Sequence, residues 1–130
     1  MTADPFFQPI PGMTLPRFAG VPTFMRLPLV EPGHARRDDV QIGLVGLPWD
    51  GGTSNRPGAR HGPRALRDAS TMVRAQHPVT GLRPFEAARC ADLGDVGPNP
   101  ASIPDSLDRM VAFYSGVKEA GIRPLTAGGD

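Results

Sequence analysis

Acidic residues follow each of the three apolar segments in this 130-residue sequence. Asp50 follows the first segment, Asp92 and Asp95 stand at the end of the second, and Asp130 follows the third. If the segments are parallel strands, these carboxylates meet at one edge of the sheet, where ligands bind in such folds. There they could hold a hard cation or a cationic substrate. An aspartate after a strand is also a common turn former and helix cap, so both interpretations stay open.

A glycine-rich loop, DGGTSNRPGARH at 50–61, follows the first segment. Such a loop before a helix can bind an anion, although neither G-x-x-x-x-G-K-[ST] nor G-x-G-x-x-G is present. Arg56 and Arg60 could bind a carboxylate or phosphate with two hydrogen bonds, or pair with neighbouring acids and stiffen the loop. Asn55 and His61 are further candidates for a substrate loop, with a packing role as the alternative for His61.

Strands and helices alternate in the predicted fold. The elements are strand 40–47, helix 62–76, strand 88–93, a helix capped by Ser102 and closed by Gly121, and strand 122–127. The near-continuous apolar character of 40–47 is typical of a parallel strand buried on both faces. The connections are long enough for parallel crossovers, so we predict an α/β fold.

Both predicted helices carry apolar residues at three- and four-residue steps. The first helix is expected to bury the face formed by Ala65, Leu66, Ala69, Met72 and Val73. The apolar stripe of the second consists of Ile103, Leu107, Met110, Val111, Tyr114 and Val117.

Residues 1–39 form a proline-rich arm, and 40–130 form the α/β region. Frequent prolines prevent regular structure in the arm. Its phenylalanines favour an extended strap on this domain or on a neighbouring subunit over disorder.

The net charge of +1 gives no reason to expect nucleic acid or an anionic membrane as partner. The single cysteine, Cys90, is expected to be a buried core residue and suggests a reducing compartment. No secretory signal or segment of about 20 apolar residues occurs. A soluble, cytoplasmic protein is therefore expected.

Three segments resemble the ureohydrolase (arginase/agmatinase) superfamily, in particular its agmatinase-like branch. They are LVGLPWDGGTSNRPGARHGPRALR at 44–67, ADLGDV at 91–96 and PLTAGGD at 124–130. The arm segment PRFAGVPTFMRLP at 16–28 looks like the lead-in of guanidinobutyrases and guanidinopropionases. The resemblance implies an arginase-like three-layer α/β/α fold whose parallel sheet has its first strands in the order 2-1-3.

The resemblance also implies a chemistry. Family members use two Mn²⁺ ions and a bridging hydroxide that attacks the guanidinium carbon of a small guanidino compound, releasing urea and an amine. In the family pattern the first ligand, a histidine, follows GGD directly. Asp130 matches a carboxylate that lies behind the ligands and orients them. The chain is therefore expected to be an N-terminal fragment without catalytic or metal-ligand residues, inactive alone, from a full-length homo-oligomer.

Two alternatives belong to other functional classes. One is a small α/β module that binds an anion at loop 53–61. The other is a non-catalytic interaction module that pairs with another subunit through its third strand.

Overall fold

The computed structural model describes residues 3–130, and its elements occur in the predicted order. They are β1 (Ile42–Leu47), α1 (Gly62–Ser70), α2 (Pro84–Ala87), β2 (Cys90–Asp95), α3 (Ile103–Glu119) and β3 (Arg123–Gly128). The short helix α2 was not predicted from the sequence.

The three strands form one parallel sheet in the order β2-β1-β3, which confirms the predicted order. The central strand β1 pairs with both neighbours, and its last residues lie opposite the last residues of β2 and β3. Gly46 is aligned with Asp95, and Leu47 with Gly128. The three carboxyl ends therefore meet at one edge of the sheet, as the sequence predicted.

Each face of the sheet carries its own apolar cluster. Val45 faces a cluster that includes Val117 and the partly buried Phe113 of α3. Leu44, its neighbour along β1, belongs to the opposite cluster with Phe24 and Phe85. Neighbouring residues of a strand point to opposite faces, so α3 covers one face, α1 and α2 cover the other, and the arm contributes residues to both. This arrangement is the expected three-layer architecture.

The arm packs on the α/β region as an extended strap. Phe7 lies in one apolar cluster and Phe24 in the other, and both are buried. Val30 donates its N–H to the Asp92 carbonyl at 2.8 Å, and the Asp92 N–H donates to the Pro28 carbonyl at 3.0 Å. These bonds cover the outer edge of β2, which would otherwise be open to another chain.

Helix α1 ends at Ser70, so the predicted extension to 76 is wrong. The Ser70 hydroxyl donates to the Arg67 carbonyl and accepts the Met25 N–H, and the Thr71 hydroxyl donates to the Asp68 carbonyl. Such side-chain bonds compete with the helical backbone pattern and end the helix.

The apolar face predicted for α1 is also not buried. Leu66, Met72 and Val73 are between 50% and 65% exposed. The helix instead packs through Pro63, which is buried, and Arg67, whose side chain is only 12% exposed.

Helix α3 begins as predicted, because the Ser102 hydroxyl accepts the Asp105 N–H, and Gly121 follows its end with a φ of 70°. Half of the predicted stripe is confirmed, because Val117 is buried and Met110 and Tyr114 pack against the same apolar cluster, whereas the buried Ser106 was not predicted. The stripe residues Ile103, Leu107 and Val111 are 54%, 53% and 67% exposed.

Strand β2 begins two residues later than predicted, at Cys90, because the end of α2 holds Ala88 through its bond to the Pro84 carbonyl. The predicted burial of Cys90 is confirmed. Strand β3 contains Pro124, which the sheet tolerates because β3 is an edge strand. Within residues 3–130, none of the helices combines the length and apolar character needed to cross a membrane.

Two phenylalanines of the arm, the buried Phe7 and the exposed Phe18, allow a matched test of its packing. Phe7→Ala is expected to lower the free energy of unfolding by about 3–5 kcal/mol, because it removes a fully buried ring from the core. Phe18→Ala is the control, since that ring is 94% exposed, and should change stability by less than about 0.5 kcal/mol. Equal effects in urea denaturation would show that the arm is not part of the core.

Candidate active site at the carboxyl edge of the sheet

Asp50 is the anchor of the loop that follows β1. Its side chain is 1% exposed and accepts the Gly58 N–H at 2.7 Å and the Arg60 N–H at 3.3 Å. The Arg60 guanidinium donates to the other carboxylate oxygen at 2.6 Å. The bond from the Arg60 side chain, followed by that from the Gly58 N–H, lowers the pKa of Asp50 to about 2. The carboxylate therefore stays ionised and ties the two ends of the loop together.

This geometry decides between the two roles considered for Arg60. Its guanidinium is held against Asp50, so it stiffens the loop. Asn55, Arg56 and His61 are exposed, and within residues 3–130 the side chains of Asn55 and Arg56 make no hydrogen bond or ion pair. Arg56 is therefore the loop guanidinium that remains available for a ligand.

Asp92 is buried in the protein and does not face a ligand. Its side chain is fully buried and accepts the Phe24 N–H at 2.9 Å and the Gly94 N–H at 2.9 Å. The Arg67 guanidinium adds two bonds, at 2.7 and 2.9 Å. All the lone pairs that a metal ion would need are thus engaged by N–H donors.

Arg67 joins three parts of the chain, namely α1, β2 and the arm. It donates to Asp92 and, at 2.6 Å, to Asp95, and its guanidinium lies 4.2 Å from the centre of the Phe24 ring. Burial works against its charge, but the bonds to Asp92 and Asp95 outweigh burial and raise the pKa of Arg67 above its usual range. Sequence reasoning gave this residue no role, although it ends the first segment of the family resemblance.

A bulge in β2 between Asp92 and Asp95 sets the directions of these two side chains. The pairing of β1 with β2 shifts between Leu44 and Gly46, and Gly94 has a φ of 82° at that point. This left-handed conformation favours glycine. Asp95 therefore reaches towards the sheet edge, where a Cβ on Gly46 would overlap its carboxylate.

Asp130 lies against the beginning of the same loop. Its N–H donates to the Trp49 carbonyl at 3.3 Å, and a Cβ on Gly52 would come within 2.7 Å of its carboxylate oxygen. A Cβ on Gly129 would overlap the Trp49 carbonyl. The two glycines thus allow the ends of β1 and β3 to touch, and they place the exposed Asp130 carboxylate beside the loop.

The described carboxylates do not form a metal centre by themselves. Within residues 3–130, no three His, Cys, Asp or Glu side chains lie in an arrangement that could bind a metal ion. Asp50 and Asp92 are occupied by arginine and backbone donors, and Asp95 by Arg67. The described residues therefore do not fit two Mn²⁺ ions.

The sequence profile of the arginase family matches residues 40–130 of this chain. The chain belongs to the arginase family. The matched residues include all three strands and the four aspartates at the carboxyl edge of the sheet. This edge is therefore part of the region that the chain shares with the arginase family.

Individual members of the family agree with this assignment. Guanidinopropionase from Pseudomonas aeruginosa is 50% identical over 95% of the chain, and the human mitochondrial guanidino acid hydrolase is 42% identical over the same share. The solved structure of proclavaminate amidino hydrolase from Streptomyces clavuligerus superimposes with a TM-score of 0.74 at 36% identity over 85% of the chain. The chain covers 37%, 34% and 36% of these three proteins, about a third of their length.

The stability contributed by the buried ion pair between Arg67 and Asp92 can be tested by mutation. Arg67→Met is expected to lower the free energy of unfolding by about 3 kcal/mol or more, because it leaves the Asp92 carboxylate buried without its cation. Arg64→Met is the matched control, since Arg64 is exposed on the same helix, and should cost less than about 0.5 kcal/mol. Chemical denaturation measures both; a small loss for Arg67→Met would mean that Asp92 is not buried as described.

The lowered pKa of Asp50 predicts a dependence of stability on pH. A carboxyl group with a folded pKa of about 2 and an unfolded pKa of about 3.9 stabilises the fold above pH 4. This contribution is lost as the pH falls from about 4 to about 2. Asp50→Asn should therefore flatten the stability profile in that window, whereas Asp108→Asn, at an exposed position on α3, should leave it unchanged. Identical profiles for wild type and Asp50→Asn would refute the role of the Arg60 contact.

Proposed function

We propose that the full-length protein to which this chain belongs is a manganese-dependent ureohydrolase that releases urea and an amine from a linear guanidino compound. The observation that carries the proposal is the 50% identity to guanidinopropionase over 95% of the chain. An agmatinase from Gallus gallus is 40% identical over 98% of the chain, so several guanidino substrates occur among the relatives. The relatives that act on guanidino acids stand slightly higher in identity, which favours a guanidino acid over agmatine.

This chain contributes a rigid frame to the proposed site and not its metal ligands. Bound Mn²⁺ would lower the pKa of water for hydrolysis of the guanidinium group, and Asp130 would orient metal ligands supplied from outside this chain. The Asp50–Arg60 pair fixes the loop, and Gly52 and Gly129 hold it against Asp130. The isolated 130-residue chain is accordingly proposed to be inactive.

Arg56 is proposed to bind the carboxylate of a guanidino acid. It is the loop arginine without an ion pair within the described residues, whereas Arg60 is occupied by Asp50. A planar guanidinium can bind a carboxylate with two parallel hydrogen bonds. Asn55 stands beside it and offers an amide group for the same ligand.

The full-length protein is also proposed to be a cytoplasmic homo-oligomer. Three exposed apolar side chains of the arm support the proposed homo-oligomer. Met13, Phe18 and Val21 are 99%, 94% and 89% exposed. Large apolar side chains that are almost fully exposed on one segment are consistent with a surface that another subunit covers.

A chimera tests the proposed function. This chain replaces the matched part of the Pseudomonas guanidinopropionase, and urea release is measured with Mn²⁺ on guanidinopropionate, guanidinobutyrate and agmatine. The chimera is expected to be active and to sediment as an oligomer, and the chain alone should release no urea. Activity of the chain alone, or a folded, Mn²⁺-loaded chimera without activity, would overturn the proposal; a monomeric chimera would remove its oligomeric part.

Variants of the chimera separate the proposed roles. Asp130→Asn should weaken Mn²⁺ binding or turnover by about 10- to 100-fold. Arg56→Ala should raise the KM for the guanidino acids by about tenfold or more while sparing agmatine. Arg60→Ala is the matched control and should lower the melting temperature without this selectivity. If Arg56→Ala affects the three substrates equally, Arg56 does not meet the carboxylate.

A further inference from the structure

A groove of about 630 Å³ lies between the arm and the connection from α1 to α2. Its polar lining consists of Gln8 and Arg17 from the arm, together with Arg74, Gln76, Arg83 and Glu86. This volume is within the range of pockets that bind small molecules. No residue of the groove belongs to the carboxyl edge of the sheet.

The groove concentrates positive charge. Three guanidinium groups face one carboxylate, that of Glu86, so two positive charges are left unbalanced in a chain whose total net charge is only +1. Positive charges gathered around one groove raise the local concentration of anions.

Two of the three guanidinium groups are already held in place. Arg83 donates to Glu86 at 2.8 Å and to the Gln76 side-chain carbonyl at 3.1 and 3.3 Å. Arg17 donates to the Met72 carbonyl at 3.1 Å and so joins the arm to the opposite wall. Each keeps N–H groups beyond these contacts, because a guanidinium carries five donors. Arg74 has no carboxylate within ion-pair distance among residues 3–130.

The groove and the candidate active site lie at opposite ends of helix α1. Pro63, at the beginning of α1, lies against Gly46 near the carboxyl edge of the sheet. Arg74 follows the other end of that helix, and a nine-residue helix is roughly 13 Å long. A ligand of this groove is therefore not the substrate of the proposed reaction.

We propose that this groove binds a small molecule with two or more anionic oxygen groups, either phosphates or carboxylates. Guanidinium groups bind both chemistries through paired hydrogen bonds. One anionic group would meet Arg74 and another would meet Arg17 or Arg83, with the amides of Gln8 and Gln76 as neutral partners. By bridging the arm and the α1–α2 connection, the ligand stabilises the docked arm.

Titration of the 130-residue chain with inorganic pyrophosphate and with citrate tests the proposal, using calorimetry and backbone amide NMR. At least one of the two should bind and shift the amide signals of the groove, while acetate, with one charge, should not. Binding of pyrophosphate alone assigns phosphate groups, and binding of citrate alone assigns carboxylates. No binding of either anion up to about 10 mM would overturn the proposal.

Charge variants show whether the binding belongs to the groove. Arg74→Gln should weaken binding by about tenfold or more, and Arg74→Lys, which keeps the charge without the planar fork, should weaken it less. Arg64→Gln removes the same charge from an exposed position outside the groove and should have no effect. Near-UV circular dichroism of Trp49 and Tyr114 verifies that each variant is folded. Equal weakening by Arg74→Gln and Arg64→Gln, or none by either, would refute a defined site.

Discussion

The buried ion pair between Arg67 and Asp92 is the interaction on which the other parts of the structure depend. A carboxylate with no exposed surface has to be matched by donors, because an unmatched buried charge is costly. Helix α1 supplies the guanidinium, and the arm and the bulge of β2 supply backbone N–H groups. The position of α1 on the sheet, the path of the arm and the direction of Asp95 all follow from this requirement.

The sheet could be predicted from the sequence because its signals are local. The continuous apolar segment of β1 marks a strand buried on both faces, and the resemblance to the family supplies the order β2-β1-β3. The buried face of α1 could not be predicted in the same way. Helix α1 buries Pro63 and Arg67 and leaves Leu66 exposed, since a long-range ion pair decides its orientation. An apolar period shows that a helix has an apolar side but not what covers that side.

The candidate site was predictable in its location and only partly in its roles. The sequence placed Asp50, Asp92, Asp95 and Asp130 near one edge, but spacing could not show which of them are already occupied. The structure separates them by partner: Asp50 and Asp92 are held by arginines and backbone donors, whereas Asp130 remains exposed. Arg56 and Arg60 differ for the same reason. Two arginines of one loop differ in their surroundings because only Arg60 reaches a buried carboxylate.

The long separation between the arm and its partners has a consequence for synthesis of the chain. Phe24 donates its backbone N–H to Asp92, which lies 68 residues later. A ribosome adding about 5–20 residues per second needs several seconds to bridge that distance, and the exit tunnel delays the meeting further. During this interval the nascent arm has no carboxylate to bind and no sheet to cover, and the rings of Phe7 and Phe24 remain in water. The arm is thus made first and packs last, and its two buried rings have no partner until β2 has been synthesised.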